Sequence, residues 1–355
     1  MLLVAGVNIK NPVPQFWDPE SPYHLPGIKA LMVSFAEFSG YRSRLEAVRK
    51  TGLRKYLKIP KDVQVFLDNG AFHTLTKGLE FKSKEYRDFV KDAKPDWYPI
   101  PVEHIPHPSM KKSAQEKLYK ATMVYNHRYA KDGYVPVVHA GAFLSEFLDG
   151  VEQISSKKKV KRLGLGAMVP FLLRGKGADG RTQVVDDIMK VRRRLPDVKI
   201  HGFGIGGTAT LHIAAILGLD SVDSAGWRNR AARGIIQLRG TGDRVVAEFG
   251  KWRGRALSLK ERKTLEDCGC PSCLGGPNAL EQGGLKGFAS RAVHNLWVLN
   301  EELQEIEHRL ESSTYLDWYR DHVNNRVFLK LIEHAVEEAG LRQAPVTGRA
   351  LATGH

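Results

Sequence analysis

A chain of 355 residues with 42% hydrophobic content can bury a sizeable core, as one large α/β barrel with an appendage or as two ordinary domains. No apolar run approaches the ~20 residues of a membrane span, and the opening MLLVAGVNIKNPVP lacks the basic and full-length apolar regions of a secretion signal, so an intracellular protein is expected. A formal charge of +15 points to a polyanionic partner such as DNA or RNA, and the lack of a lipid-seeking aromatic face beside the basic runs argues against a membrane partner.

Short β-rich runs recur as far as residue 226: LLVAGV (2–7), ALMVSF (30–35), VQVFLDNG (63–70), WYPIPV (97–102), VPVVHA (135–140), RLGLGA (162–167), KIHGFGIG (199–206) and DSVDSAG (220–226). Helical patterns separate them, among them SKEYRDFVKDA, SAQEKLYKATMVYNHRYAKDG, QVVDDIMKVRRRLP and TATLHIAAILG, the last closing on Gly218 as a helix C-cap does. The alternation predicts an α/β fold, a parallel (β/α)8 TIM barrel over residues 1–240, with an open doubly wound sheet as the alternative. In such a barrel the chemistry collects at the C-terminal strand ends. Those ends carry Asp68-Asn69-Gly70, Glu103-His104, His139-Ala140-Gly141, Gly164-Leu165-Gly166, Gly202-Phe203-Gly204 and Asp223, a set that suits close backbone approach to a flat ligand.

Residues 241–343 are expected to form a zinc-binding subdomain with C-terminal helices, and 344–355 a disordered tail. All three cysteines fall in Cys268-Gly-Cys270-Pro-Ser-Cys273, a spacing that argues for a metal and against a disulfide framework. His294, expected to open a helix, completes the set. Three thiolates and an imidazole fill a tetrahedral shell and leave no place for water, so the expected Zn2+ is structural. RAVHNLWVLNEELQEIEHRLE (291–311) puts Val293, Leu296, Trp297, Leu303 and Ile306 near one helical face, and TYLDWYRDHVNNRVFLKLIEHAVEEAG (314–340) reads as one further helix ending at Gly340. Basic residues cluster in KKKVKR (157–162), KVRRR (190–194), RNRAAR (228–233) and KWRGRALSLKERK (251–263).

These residues resemble a family. LDNGAFH (67–73) is similar to the Asp-Ser-Gly-Gly-Phe-Gln segment of the tRNA-guanine transglycosylase superfamily. KIHGFGIGG (199–207) and GLDSVDSAGWRNRAARG (218–234) are similar to its Gly-Val-Gly and Phe-Asp-…-Arg-…-Arg-…-Gly blocks, and the cysteine cluster with HNLW (294–297) resembles its zinc subdomain. The resemblance implies Asp223 as nucleophile and Asp68 as the aspartate that handles the base and its proton. It implies base contacts from Phe72, Gly70, Glu103, His139, Gly164, Gly166, Ala167, His201 and Gly202, and polynucleotide contacts from Arg228, Arg230 and Arg233.

The departures cluster around the same places. Asn69 and Ala71 stand for Ser and Gly, His73 and His139 for glutamines, Glu103 alone for an Asp-Glu pair, and Gly226-Trp227 for Pro-Thr. They turn the expectation from tRNA towards the superfamily branch that acts on DNA, with guanine exchanged for a 7-deazaguanine base of the preQ0 kind. A homodimer or accessory modification proteins fit the same resemblance.

Such an exchange needs a nucleophile beneath C1′, a proton donor for the purine and an aromatic slot for its plane. A carboxylate can attack an oxocarbenium-like centre, form a covalent glycosyl-enzyme and leave in a second displacement. Without the resemblance, Asp223 and Asp68 read as turn or cap aspartates and His139 and His201 as core histidines. The rival functions are the same chemistry on tRNA, a non-catalytic nucleic-acid-binding subunit, and a zinc hydrolase, the last disfavoured by the closed ligand set.

Overall fold

The computed structural model describes residues 1–10, 12–174, 179–240, 242–247, 249, 254–274 and 276–341. The tail expected to be disordered, and residues 251–253 of the last basic run, lie outside the described residues.

Seven strands form one parallel sheet: β1 (Leu2–Gly6), β2 (Ala30–Ser34), β3 (Gln64–Asp68), β4 (Val137–His139), β5 (Arg162–Gly166), β6 (Lys199–Gly202) and β7 (Ser221–Ser224). Their order is β3-β2-β1-β7-β6-β5-β4, which leaves β3 and β4 at the edges. The fourth predicted run spans the gap between them. Trp97 bridges in parallel to Phe66, and Pro99 to Val135. Leu67 N–H donates to Trp97 O at 2.8 Å, and Val135 N–H to Tyr98 O at 3.0 Å. The sheet therefore curls into a TIM-like barrel, and the open doubly wound alternative does not form.

The two-residue period of the strands sorts their side chains. Val4, Ala30, Met32, Phe66, Trp97 and Val135 form one buried cluster inside the barrel. Leu3, Ala5, Leu31, Val33, Val65 and Leu67, the alternate residues of the same strands, join the larger core beneath the surrounding helices.

Two expectations about the helices need correction. His294 does not open a helix: it lies well inside one running from Gly284 to Glu311. The glycines ahead of it look like a loop, yet Gly287 is accommodated because an added Cβ there would lie 1.8 Å from Gln282 O, a position only glycine can fill. Residues 314–340 make two helices, Tyr315–His322 and Arg326–Glu338. Asn325 separates them by accepting the Val327 and Phe328 N–H groups, at 3.2 and 3.4 Å, as an N-cap.

The long helix is not a detached appendage. Leu299, Leu303 and Ile306 are buried in the same core as the barrel helices. A hairpin of β8 (Ile235–Leu238) and β9 (Gly242–Val245) crosses the division expected at residue 240, and Ile236, Leu238, Leu265 and Leu280 form a small separate core around Cys270 and Cys273.

Candidate functional site

Strand register sets which residues share the exit end of the barrel. Ser34 lies opposite Asp68, His139 opposite Gly166, and Val4 opposite Asp223. Phe66 and Val4, which belong to the interior cluster, lie two residues before Asp68 and in register with Asp223. Asp68, His139, Gly166 and Asp223 consequently face one mouth.

Asp68 Oδ2 accepts hydrogen bonds from Ser34 Oγ at 2.7 Å and from Gly70 N–H at 3.0 Å. Gly70 adopts a left-handed conformation (φ +80°) with Ala36 at 3.0 Å from where a Cβ would be, so the turn requires glycine. Burial raises the Asp68 pKa above the ordinary carboxylate range against these donors, and the Asp223 charge adds to the rise. Asp223 Oδ1 accepts from Gly204 N–H at 2.8 Å and lies 3.4 Å from His201 Nε2. Its side chain is 16% exposed, reachable from the mouth.

Beside the aspartates sits a buried polar group. Asn69 Nδ2 donates to Glu103 Oε1 at 3.1 Å and to Ile100 O at 2.9 Å, while Asn69 Oδ1 accepts from Ala71 N–H at 2.9 Å. Glu103 Oε2 lies 3.4 Å from His139 Nε2. Burial, with help from the Asp68 charge, pushes Glu103 up to about 8, and burial with nearby His104 drives His139 down to about 3. At neutral pH the pair is chiefly a carboxylic acid beside a neutral imidazole. His139 is 1% exposed, and neither ring nitrogen has a hydrogen-bond partner among the described residues.

The remaining expected residues are placed less uniformly. Phe72 stands on the helix Ala71–Lys77 just past the Gly70 turn, 71% exposed. Ala167 occupies the turn after β5 with φ +62°. His201 is buried below the mouth, Nδ1 bonded to Ser221 Oγ at 2.9 Å and ring centroid 4.9 Å from those of Trp97 and Phe203. Gly202 faces the helix layer, where an added Cβ would lie 2.9 Å from Leu219, because it alternates with His201 and Phe203.

Phe203 is expected only as part of the Gly202-Phe203-Gly204 strand end, with no role of its own. Its half-buried ring covers Gly164, whose added Cβ would lie 2.7 Å from Phe203 Cε2, while His139 covers Gly166 in the same way at 2.9 Å. The signal was present: two residues beyond His201, Phe203 shares its face but stands one layer nearer the mouth.

The three arginines follow β7 on and just beyond the helix Gly226–Ala232. Arg230 Nε reaches both Asp243 oxygens, at 2.7 and 2.9 Å. Arg228 donates to Val13 O and lies 4.9 Å over the Phe288 ring, whereas Arg233 is exposed. Trp227 is a core residue, its ring edge-on to Phe16 at 5.8 Å.

Cys268, Cys270 and Cys273 converge on His294, with Sγ to Nδ1 separations of 3.7, 3.6 and 3.5 Å. Tetrahedral zinc with ordinary bond lengths would separate sulfur from nitrogen by about 3.6 Å. His294 Nε2 donates to Gln237 O at 3.0 Å, so in the neutral imidazole Nδ1, which faces the three sulfurs, is the nitrogen that can ligate. The residues fit a metal such as zinc.

The model of the queuine tRNA-ribosyltransferase family matches residues 40–327. The chain belongs to that family. The family match takes in Asp68, Asp223 and all four cysteine and histidine residues of the metal-type cluster, while β1 and β2 lie before it. A tRNA-guanine(15) transglycosylase of Pyrococcus abyssi (strain GE5 / Orsay) is 30% identical over 146 residues, which is 40% of this chain and 22% of the relative. No helix among the described residues is long and apolar enough to cross a membrane.

Proposed function

We propose that the chain exchanges a guanine base in a polynucleotide through two displacements at Asp223. The observation that carries this reading is the pair Asp223 and Asp68 on one barrel mouth, the first held by Gly204 N–H and the second with a raised pKa. Asp223 attacks C1′ from one side as the C1′–N9 bond breaks, and the bonding pair leaves with the base. A protonated Asp68 hands its proton to the departing purine. The incoming base returns a proton to Asp68, its ring nitrogen attacks C1′, and the Asp223 carboxylate leaves. The exposed Phe72 and half-buried Phe203 supply aromatic faces for the base plane. His139 and protonated Glu103 offer an imidazole and a carboxylic acid to its polar edge. A zinc ion held by Cys268, Cys270, Cys273 and His294 would tie the hairpin region to the long helix.

Of the possible polymers we favour DNA, with a 7-deazaguanine of the preQ0 kind as the incoming base. The departures at Asn69 and His139, which stand at the mouth, and at Ala71 and His73 just past the Gly70 turn support it, whereas Trp227 is a core residue and carries no weight here. The rival is exchange in tRNA, favoured by the family's description and by the archaeal relative. Labelled guanine in duplex DNA and in tRNA, each incubated with the protein and preQ0, separates them. Release from tRNA alone would overturn the DNA reading, and release from neither would overturn both.

A further inference from the structure

Two basic runs of the barrel, KVRRR and KKKVKR, have no part in the chemistry above. In KVRRR the arginines are committed internally: Arg192 to Asp220 at 2.8 Å, Arg193 to Glu338 at 3.1 Å and Arg194 to Asp149 at 2.8 Å. The lysines of KKKVKR behave differently. They lie where the chain enters β5, and in a parallel barrel every entry is at the end opposite the mouth that holds Asp223. Lys131 lies on the approach to β4, and Lys199 begins β6. The three approaches adjoin, because Lys199 N–H donates to Lys161 O at 3.0 Å and the Lys158 ammonium donates to the Lys131 carbonyl.

Lys131, Lys158, Lys159, Lys161 and Lys199 are all exposed. Among the described residues, the lysines that pair with carboxylates are Lys29, Lys82 and Lys120, so these five stay uncompensated. Asp132 and Asp197 are the acids in the same loops, also exposed. Five exposed ammonium groups on adjoining loops outnumber the two acids there, and a polyanion offsets that local excess of positive charge.

We propose that this strand-entry face, centred on Lys158, Lys159 and Lys161, is a second polyanion surface that takes the phosphate backbone of a nucleic-acid duplex. The inference rests on a polynucleotide being the substrate and adds a contact at the far end of the barrel from the exchange site. Lysine is a compact point charge that neutralises phosphate without reading sequence. No large exposed apolar side chain lies in these loops, which removes the anchor that a protein hot spot or a lipid surface would use.

The test is binding of a ~40-base-pair duplex across a salt series, parent protein against Lys158→Glu/Lys159→Glu/Lys161→Glu, with thermal melts to confirm the fold. The variant should bind at least about tenfold more weakly near 0.1 M salt, and its slope of log affinity against log salt should be shallower by about 2 to 3, the loss of three phosphate contacts. The matching triple Lys→Arg variant should bind as the parent does. An unchanged slope in the glutamate variant overturns the proposal. So does loss of binding to phosphatidylserine vesicles with duplex binding retained. Guanine release by the parent is measured separately: failure there removes the catalytic reading, whereas an unchanged slope removes only the second surface.

Discussion

The backbone N–H of Gly204 donates to Asp223 Oδ1 across 2.8 Å, joining the loop after β6 to an inward residue of β7. A hydrogen bond from an amide to a carboxylate stabilises the anion and fixes its direction. Asp223→Asn keeps the shape and removes the negative charge. Base exchange should fall by at least about 10³-fold, with the melting temperature unchanged and no covalent adduct trapped on a denaturing gel. An active Asn variant would remove Asp223 from the mechanism.

Gly204 itself has φ +74°, and an added Cβ would meet Val169 at 3.0 Å. Gly204→Ala therefore costs about 1–2 kcal/mol of backbone strain and shifts the donor. A displaced nucleophile should lower kcat by about tenfold or more while KM changes little. Steady-state kinetics on one substrate decides the point.

Glu103, pushed up to about 8 from an ordinary 4.5, sets a pH dependence. Because its folded pKa is raised, its contribution to stability is complete below the unfolded value and is lost as pH rises through about 8. Glu103→Gln mimics the neutral acid and can keep the contact with Asn69. Melts from about pH 5 to pH 9 should show the parent losing on the order of a few kcal/mol relative to the Gln variant at the alkaline end. Parallel pH curves for the two proteins would show that Glu103 is ionised across the range.

Phe203 presents its ring at the mouth over Gly164. If it stacks on the base, Phe203→Ala should weaken base binding by about 1–3 kcal/mol, read as a higher KM for the incoming base. A fall in kcat alone would assign the ring to packing.

A strong chelator, or Cys273→Ser, should release about one zinc per chain and lower the melting temperature, since the small core of Ile236, Leu238, Leu265 and Leu280 is built around the cluster. Activity should disappear together with the fold. Loss of activity with an unaltered melt would make the metal catalytic.

The alternation of strand and helix, the cysteine spacing and the segments that resemble the family are all legible in the chain of residues. Seven of the eight strand runs form the parallel sheet, and the run at 97–102 makes only isolated bridges to its two edges, because β-rich runs bounded by turn residues are local signals. Boundaries that depend on contacts far along the chain were less legible. His294 was placed at a helix start because glycines upstream look like a break, whereas the fold packs Gly287 against Gln282 and continues the helix past it. The break at Asn325 was missed because a cap looks like any polar residue until its side chain turns back.

Which strand-end residues share a layer depends on the assembled sheet. Register sets Ser34 beside Asp68 and Gly166 beside His139, and it sinks His201 below Phe203. Sequence spacing says which residues alternate, but the pairing of parallel strands across distant crossovers sets their depth. Depth in turn fixes burial, and burial makes Glu103 an acid and His139 a neutral base at the same pH.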